Sequence, residues 1–409
     1  MNSITEKQRE TPVCDKCRVL VAGGGIAGVS AAIAAARTGA DVLLVEREYG
    51  LGGLATLGLI AIYLPICDGE GNQAQYGIVE ELLHLSIKHG AEKGRPDAWL
   101  DGGTKEERKQ KRFSVQYNPV LFALELEKLL RELGVRVLYG TSIVGAETEN
   151  GELKHVIIEN RTGRSAIEVK TAVDATGEAL LCKAAGCQVL PFKANNALAS
   201  WYYSNSRSGY DLHMFGLADV IPEKGQSTGR DEKTSATRIG TRRYDGLDAA
   251  DTSAMMLDAH AEMYKDIMRR REDDDTFVPT AMSTIPLLRM TGKLLGEYTL
   301  DDTEIKKSFA DSIGLVSDWR KRGPVYEVPF GTLYSKKVRN LLAAGRTISV
   351  TDAMWDITRV IPPAAVTGQA AGTAAAMFAD MTQADISALQ ERLKADGVKI
   401  HWEEINVSD

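Results

Sequence analysis

Three glycines and one acid near the start of the chain carry the clearest chemistry. Gly23-x-Gly25-x-x-Gly28 follows the apolar run Val19-Leu-Val-Ala22, and Glu46 ends a second strand-like run, Asp41-Val-Leu-Leu-Val45. In a strand–turn–helix–strand unit the first glycine makes a tight turn. The second lacks a Cβ and lets a pyrophosphate approach the backbone, and the third lets helix and strand pack closely. An alanine-rich helical pattern runs from Ala27 to Arg37, and its unpaired N–H groups and positive dipole end favour phosphate, with Ile26 and Ala27 among the expected cofactor-binding residues. Glu46 can accept hydrogen bonds from ribose hydroxyls. The set reads as a dinucleotide site and does not say which dinucleotide. A glycine-rich turn that merely starts a helix is the plain alternative.

Composition narrows the partners. The chain has 409 residues, enough for two domains, with 44% hydrophobic and 26% charged residues. Its net charge of −7 argues against nucleic acid or an anionic membrane as the main partner. No apolar run reaches the roughly 18–20 residues of a membrane span. The polar N-terminus shows no secretion signal, so a cytoplasmic location is the default expectation. Five cysteines, odd and sparse, suggest reduced thiols. Cys14-x-x-Cys17 could be a redox pair or half a zinc site. No second pair completes a metal set and no helix start activates a thiolate, so strand-entry residues are the plainer reading, and no metal is expected.

The remaining elements must position the glycines and their partners. A second glycine cluster, Gly52-Gly53, follows Glu46 and Arg47. It suits a long cofactor that passes over backbone at close range. Residues 79–88 read as an amphipathic helix. The charge run 105–112 reads as solvated surface, with a flexible lid as the sharper option. Asn118-Pro119 starts a helix, Asn as cap and Pro as first helical residue. The run 135–139 rejoins the main sheet, the runs 142–147, 154–159 and 165–170 form a β-meander, and 172–175 returns as a buried strand. From 191 to 329 the texture changes. Polar loops such as 223–233 alternate with apolar runs, a helix covers 251–271, and 285–289 and 325–330 look like strands. The run 338–346 is another buried strand. Two prolines, Pro362 and Pro363, then start a helix rich in small residues, and an amphipathic helix follows 383. The expected fold is α/β. A Rossmann-like dinucleotide domain, a mostly parallel sheet plus meander, is split over 18–62, 113–190 and 335–409. A mixed α+β substrate or cap domain takes 63–112 and 191–334.

These pieces resemble the FAD-dependent oxidoreductases with two dinucleotide-binding domains, and more closely a bacterial group of them. The resemblance rests on Gly23 to Gly28, Glu46-Arg47, Gly52-Gly53-Leu-Ala-Thr56 and Asp174-Ala-Thr-Gly177. It rests equally on Asn340-Leu-Leu-Ala-Ala-Gly-Arg346, Arg359-Val-Ile-Pro362 and Gly368-Gln-Ala-Ala-Gly372. It implies FAD held without a covalent bond. Gly23, Gly25 and Gly28 would face the pyrophosphate, and Glu46, beside Arg47, the ribose. Gly52, Gly53, Leu54, Ala55 and Thr56 would line the cofactor's course, with Ala175, Thr176 and Gly177 on the adenine side. Val144 belongs to the same cofactor-binding set. Gly345 and Arg346 would approach the flavin end. The helix carrying Ile361, Pro362 and Thr367 would aim its dipole at flavin N1 and O2, stabilising reduced flavin. The group commonly has Thr-His-x-Ala where this chain has Thr351-Asp352-Ala353-Met354, so a histidine's role would pass to Asp352 if it is needed.

The expected catalytic residues are Arg359, Arg346 and Asp352. The arginines can hold a carboxylate or carbonyl or stabilise a flavin anion, with structural ion pairs as the plain alternative. Asp352 is a candidate base, or a loop-capping carboxylate. Cys67, Tyr63 and Arg289 are weaker candidates for site contact, while His84, His89, His213 and His260 carry no partner pattern. The leading expectation is hydride transfer between flavin N5 and a small organic substrate. The alternatives are a monooxygenase using NAD(P)H and oxygen, or a flavoprotein with a binding or sensing role. There is no second GxGxxG for tight NAD(P)H binding, although NAD(P)H or another electron donor or acceptor fits the chemistry. A homo-oligomer stays open.

Overall fold

Strand β1 (Val13–Ala22) and strand β2 (Val42–Val45) lie parallel, with Val19 opposite Val42 and Ala22 opposite Val45. The structure is a computed structural model that describes residues 4, 9–110, 114–216 and 242–405. Helix α1 (Ile26–Arg37) connects the two strands. Val19 and Val21 face one buried layer, and Leu20 and Ala22 face another. Burial on both faces is why the strand reads as an unbroken apolar run.

The sheet has seven strands. Beyond β1 and β2 they are β3 (Arg136–Leu138), β4 (Ser142–Glu149), β5 (Glu152–Asn160), β6 (Gly163–Asp174) and β7 (Leu341–Ala343). The order is β3-β2-β1-β6-β5-β4, with β7 on β6. The expected break between the meander's third strand and the run 172–175 does not exist. β6 is one continuous strand that pairs antiparallel with β5 through its first half and parallel with β7 through its last residues. No turn residue interrupts it, and the β-branched Val169 and Thr171 keep it extended. Cys14 and Cys17 lie inside β1, not ahead of it. Cys17 is buried and burial pushes its thiol up to about 12, while Cys14 is exposed.

Helix α2 (Ile78–Ser86) and helix α3 (Pro119–Glu132) cover the same face as α1. Asn118 caps α3 as its position predicts, accepting from the Val120 and Leu121 amides at 3.1 and 3.0 Å. The charge run forms an exposed helix over Lys105–Gln110, and its last two residues, with the loop 223–233, lie outside the described residues. A three-stranded antiparallel sheet, Gly209–Phe215, Ser200–Ser206 and Val278–Met282, packs against the long helix α4 (Ala249–Asp273). Residues 285–289 do not form the expected strand. Pro286 cannot donate to a ladder, and the Leu288 amide closes back on its carbonyl at 2.8 Å. Strand Val325–Pro329 pairs with Ser312–Ser317 as an antiparallel ribbon. Helices α5 (Asp352–Thr358), α6 (Ile361–Met377) and α7 (Ile386–Ala395) follow, and a short helical turn at Trp402–Ile405 ends the described chain. Among the described residues no helix is long and apolar enough to cross a membrane.

Helix α6 crosses α1 at backbone contact. A Cβ on Gly368 would sit 2.3 Å from the Ala27 carbonyl oxygen, and one on Gly372 2.1 Å from that of Ala31. Fifteen of α6's residues are buried, so the helix cannot move outward without opening the core. Overpacking a tight contact costs about 1–3 kcal/mol or more. Gly372→Val is therefore expected to lower stability by about 3 kcal/mol in urea unfolding. A variant as stable as the parent would show that the helices do not need this contact.

Candidate functional site

The parallel strands end together. Ala22 of β1 pairs with Val45 of β2 and with Asp174 of β6, and Asp174 pairs with Ala343 of β7. The four following turns, starting at Gly23, Glu46, Ala175 and Ala344, therefore meet at the carboxyl edge of the sheet, where open α/β sheets bind ligands. They wall a cleft of about 900 Å³.

Gly23 has φ +98°, and a Cβ there would lie 2.5 Å from the Ala175 carbonyl oxygen. A side chain is excluded by both conformation and space. Gly25 is the opposite case: a Cβ there would meet no protein atom within 4 Å, because it faces the cleft. Gly25 ends in extended backbone and α1 begins behind it, with no acid in its first turn to occupy the dipole. Gly28 does not reach the cleft. Its Cβ would lie 1.8 Å from the Gly23 carbonyl oxygen, so its job is packing behind the turn.

Glu46 is buried at the wall and accepts from the Gly24 amide and, at 2.8 Å, from the Glu48 amide. Burial holds its carboxyl above the usual glutamate range, against the pull of those amides. The second glycine cluster docks on the first, the Gly52 amide donating to the Gly24 carbonyl at 2.8 Å. Gly52, Gly53, Leu54 and Ala55 line the cleft. Thr56 does not; its hydroxyl closes the turn on the Leu51 carbonyl. Arg47 reaches across the mouth to Glu178 at 3.3 Å, a half-exposed contact of small energetic weight.

On the facing wall, buried Asp174 accepts from the Thr176 hydroxyl at 2.7 Å and the Cys182 amide at 2.8 Å, fixing the turn of Ala175, Thr176 and Gly177. After β7, the Gly345 amide donates to the Thr367 hydroxyl at 2.9 Å, which donates in turn to the Pro363 carbonyl at 2.9 Å. Thr367 and Pro362 thus work behind the wall, while Val360, Ile361 and Ala364 line it. Pro362 and Pro363 have no N–H, so the α6 terminus presents its dipole with the Ile361 amide as its first helical donor.

Arg346 lines the cleft and is tied down: Nε donates to the Gly177 carbonyl and Nη1 to that of Leu288, both at 2.7 Å. Burial lowers its pKa to about 10, which leaves it charged at neutral pH. It clamps the turn after β6 to the loop 285–289. Arg359 is better placed for chemistry. It lines the cleft and also a second chamber, of about 1050 Å³, that opens beside it. Its Nε and Nη2 donate to Asp356 Oδ1 at 2.9 and 2.6 Å. Asp356 also holds Arg320, which is chelated by Asp318. These four side chains are at most 8% exposed. Two acids and two bases balance there, so the arginine at the wall is rigid and buried at tolerable cost.

Several expected residues lie elsewhere. Asp352 does not line either space. It starts α5 and pairs with Lys293 at 2.6 Å, and the Lys293 ammonium lies 4.4 Å from the Trp355 ring centre. The cap of α5 is Thr351, whose hydroxyl accepts from the Met354 amide, so Asp352 stands as an ion-pair partner outside both spaces. Val144 lies on β4, the sheet's far strand, with 39% exposure and no place in the cleft. Cys67 is fully buried away from both spaces, and the Tyr63 hydroxyl is used by the Val79 carbonyl. Arg289 does line the chamber. Glu48, Glu178, Ile285, Pro286 and Leu288 line the cleft without having been expected there, as do Trp201, Met214 and Trp319 in the chamber. Glu178 follows the Thr176-Gly177 turn directly, a signal the sequence held. The loop 285–288 held none, because its apolar run imitates a strand.

A long anionic cofactor fits this cleft on the structure's own terms. Gly25 leaves open room, two helix starts point at one space, and Glu46 offers a carboxylate. Among the described residues no cluster of His, Cys, Asp and Glu could hold a metal ion. Among solved structures, a geranylgeranyl bacteriochlorophyll reductase-like protein from Thermoplasma acidophilum is similar at 13% identity, over 94% of this chain and 82% of that one, with TM-score 0.44. The p-nitrophenol 4-monooxygenase PnpA of Pseudomonas putida is similar at 10% identity over the same shares, with TM-score 0.47. The L-proline dehydrogenase of P. horikoshii is similar at 12% identity over 88% of this chain and 92% of that one, with TM-score 0.42. No curated protein matches the chain. The family model of FAD dependent oxidoreductases matches residues 18–191 and 187–393. The chain therefore belongs to the FAD dependent oxidoreductase family, with FAD as its cofactor.

Proposed function

We propose that the chain holds FAD noncovalently along the cleft and moves a hydride between the flavin and a small organic substrate seated in the adjoining chamber. The observation that carries this is a shared wall: Leu54, Ala55, Arg359, Val360 and Ile361 line both spaces. Bound FAD supplies two-electron chemistry at N5. Gly25, Ile26 and Ala27 would receive the pyrophosphate, Glu46 the ribose, and Ala175 to Gly177 the adenine side. Gly345, Arg346 and the α6 start would face the flavin. Arg359 orients substrate at the shared wall, held by Asp356. The apolar chamber excludes water from the reacting face. On this reading segments 18–62, 113–190 and 335–409 form the cofactor part, and 63–112 with 191–334 the substrate part.

The purified protein, as isolated or after incubation with FAD, is expected to show the flavin absorbance bands. Anaerobic exposure to a panel of small metabolites is expected to bleach them with at least one compound. Protein that stays colourless after reconstitution would overturn the proposal. Gly25→Ala separates folding from binding, because the Cβ it adds meets no protein atom within 4 Å. Its thermal stability without FAD is expected to match the parent within roughly 0.5 kcal/mol, while FAD affinity falls at least about a hundredfold.

The raised pKa of Glu46 gives a pH test. The fold favours the protonated acid, so its contribution to stability is complete in acid and is lost as pH rises through the raised pKa. The ribose needs the ionised form. Acidification is therefore expected to release FAD, followed by flavin fluorescence, at a pH above the usual glutamate range and before the protein unfolds. Glu46→Gln should weaken FAD binding about tenfold and flatten this pH dependence. An unchanged profile would remove Glu46 from the ribose site.

A further inference from the structure

The chamber beside the cofactor cleft has walls that specify more than size. Leu54, Ile60, Ile62 and Leu64 make most of one side apolar, yet two arginines open on the same space. Arg289 is only 8% exposed, its guanidinium carbon 5.7 Å from the Trp201 ring centre. Arg359 repeats the arrangement, 5.9 Å from the Trp319 ring centre. Both indoles line the chamber. Ring faces thus flank both guanidiniums, and the groups around them are fixed: the Arg289 amide donates to the Asn196 side-chain oxygen at 2.8 Å, and the Trp319 indole N–H donates to the Asp356 carbonyl at 2.9 Å.

Arg359 has donor capacity in reserve. Asp356 takes Nε and Nη2 through a single oxygen, Oδ1, and gives its other oxygen to Arg320 at 3.0 Å. Among the described residues Nη1 of Arg359 meets no acceptor. A planar guanidinium with a free edge in an apolar space is suited to a carboxylate, which binds it more strongly than any neutral group does. An ammonium would face two cations. A plain hydrocarbon would displace water from the guanidinium without replacing its hydrogen bonds.

We infer that the chamber takes an apolar carboxylic acid, with its carboxylate between Arg359 and Arg289 and its hydrocarbon body against Leu54, Ile60, Ile62 and Leu64. This rests on the proposal that the chamber is the substrate site, and it names the substrate class. The two arginines fix one end of the molecule, so that its body crosses the wall shared with the cofactor cleft.

Calorimetric titration of the FAD-loaded protein with 4-phenylbutanoate, its neutral amide and the matching amine tests this. The acid is expected to bind at least about tenfold more tightly than the amide, and the amine not at all. Arg289 lines the chamber but not the cofactor cleft. Arg289→Gln should therefore cost the acid at least about tenfold in affinity while leaving amide binding and flavin content unchanged. Equal affinity of acid and amide, or no binding of any of the three, would overturn the inference on the parent chain alone, whether or not the variant folds. Acid binding untouched by Arg289→Gln would overturn it as well. Flavin content of the same samples keeps the two readings apart. Protein that carries FAD yet ignores charge removes only the substrate class, and protein that prefers acids but never takes FAD removes only the cofactor proposal.

Discussion

The crossing of α6 over α1 is the contact on which the rest depends. Gly368 and Gly372 rest on the carbonyls of Ala27 and Ala31, close enough that no side chain fits between the helices. Ala27 lies in the first turn of α1, so the crossing sits just behind the Gly25 turn. It brings the start of α6 over the start of α1 and directs two positive helix ends into one cleft. The squeeze has a local cost: the Ser30 hydroxyl, under Gly368, is buried and has no hydrogen-bond partner among the described residues. Gly345 continues the same constraint, since a Cβ there would lie 2.7 Å from that of Ala27. Three segments, around 27–31, 345 and 368–372, are therefore registered against one another by the absence of side chains.

Charge does the complementary work. Asp174 is fully buried, but three amide and hydroxyl donors converge on it, so it organises a turn without a cationic partner among the described residues. The quartet of Asp318, Arg320, Asp356 and Arg359 is neutral as a unit, which lets a cation stand at the wall between cleft and chamber. Removing either acid would leave a buried positive charge uncompensated, and that is the costly state. Lys293 and Asp352 solve the same problem at the edge of α5. A buried lysine, its pKa depressed by burial, is supported by an exposed carboxylate and an indole face.

Sequence resolved the parts of the site that depend on local backbone chemistry. Gly23, Gly25, Gly28 and Glu46 declare themselves because turn, helix start and strand end are set within a few residues. The Asn118 cap and the Pro362-Pro363 start are legible for the same reason. Asp352 was not, because its partner Lys293 lies 59 positions away and nothing local distinguishes a paired acid from a free one. Thr56, Pro362 and Thr367 belong to the right turns but face inward. The Thr56 hydroxyl is taken by the Leu51 carbonyl and that of Thr367 by the Pro363 carbonyl and the Gly345 amide, closures that one sequence does not record. Val144 failed for a topological reason: β4 is the outermost strand, two strands beyond β6, whose end borders the cleft.

The loop 285–289 shows how a misread element changes the site. As a strand it would have been scaffold. As an irregular segment it lends Ile285, Pro286 and Leu288 to the cofactor cleft and Arg289 to the chamber, and Arg346 holds it by the Leu288 carbonyl. Arg346 also holds Gly177, so one guanidinium fastens the sheet's carboxyl edge to the segment 285–289. Asn196 secures the same loop from the other side, accepting from the Arg289 and Met290 amides. The loop cannot shift at the cleft without shifting Arg289 in the chamber. Cleft and chamber are therefore coupled twice, through the Arg359–Ile361 wall and through this loop. A group seated in the chamber is registered against the cleft by rigid backbone on two sides, which is what hydride transfer between two separately bound partners requires.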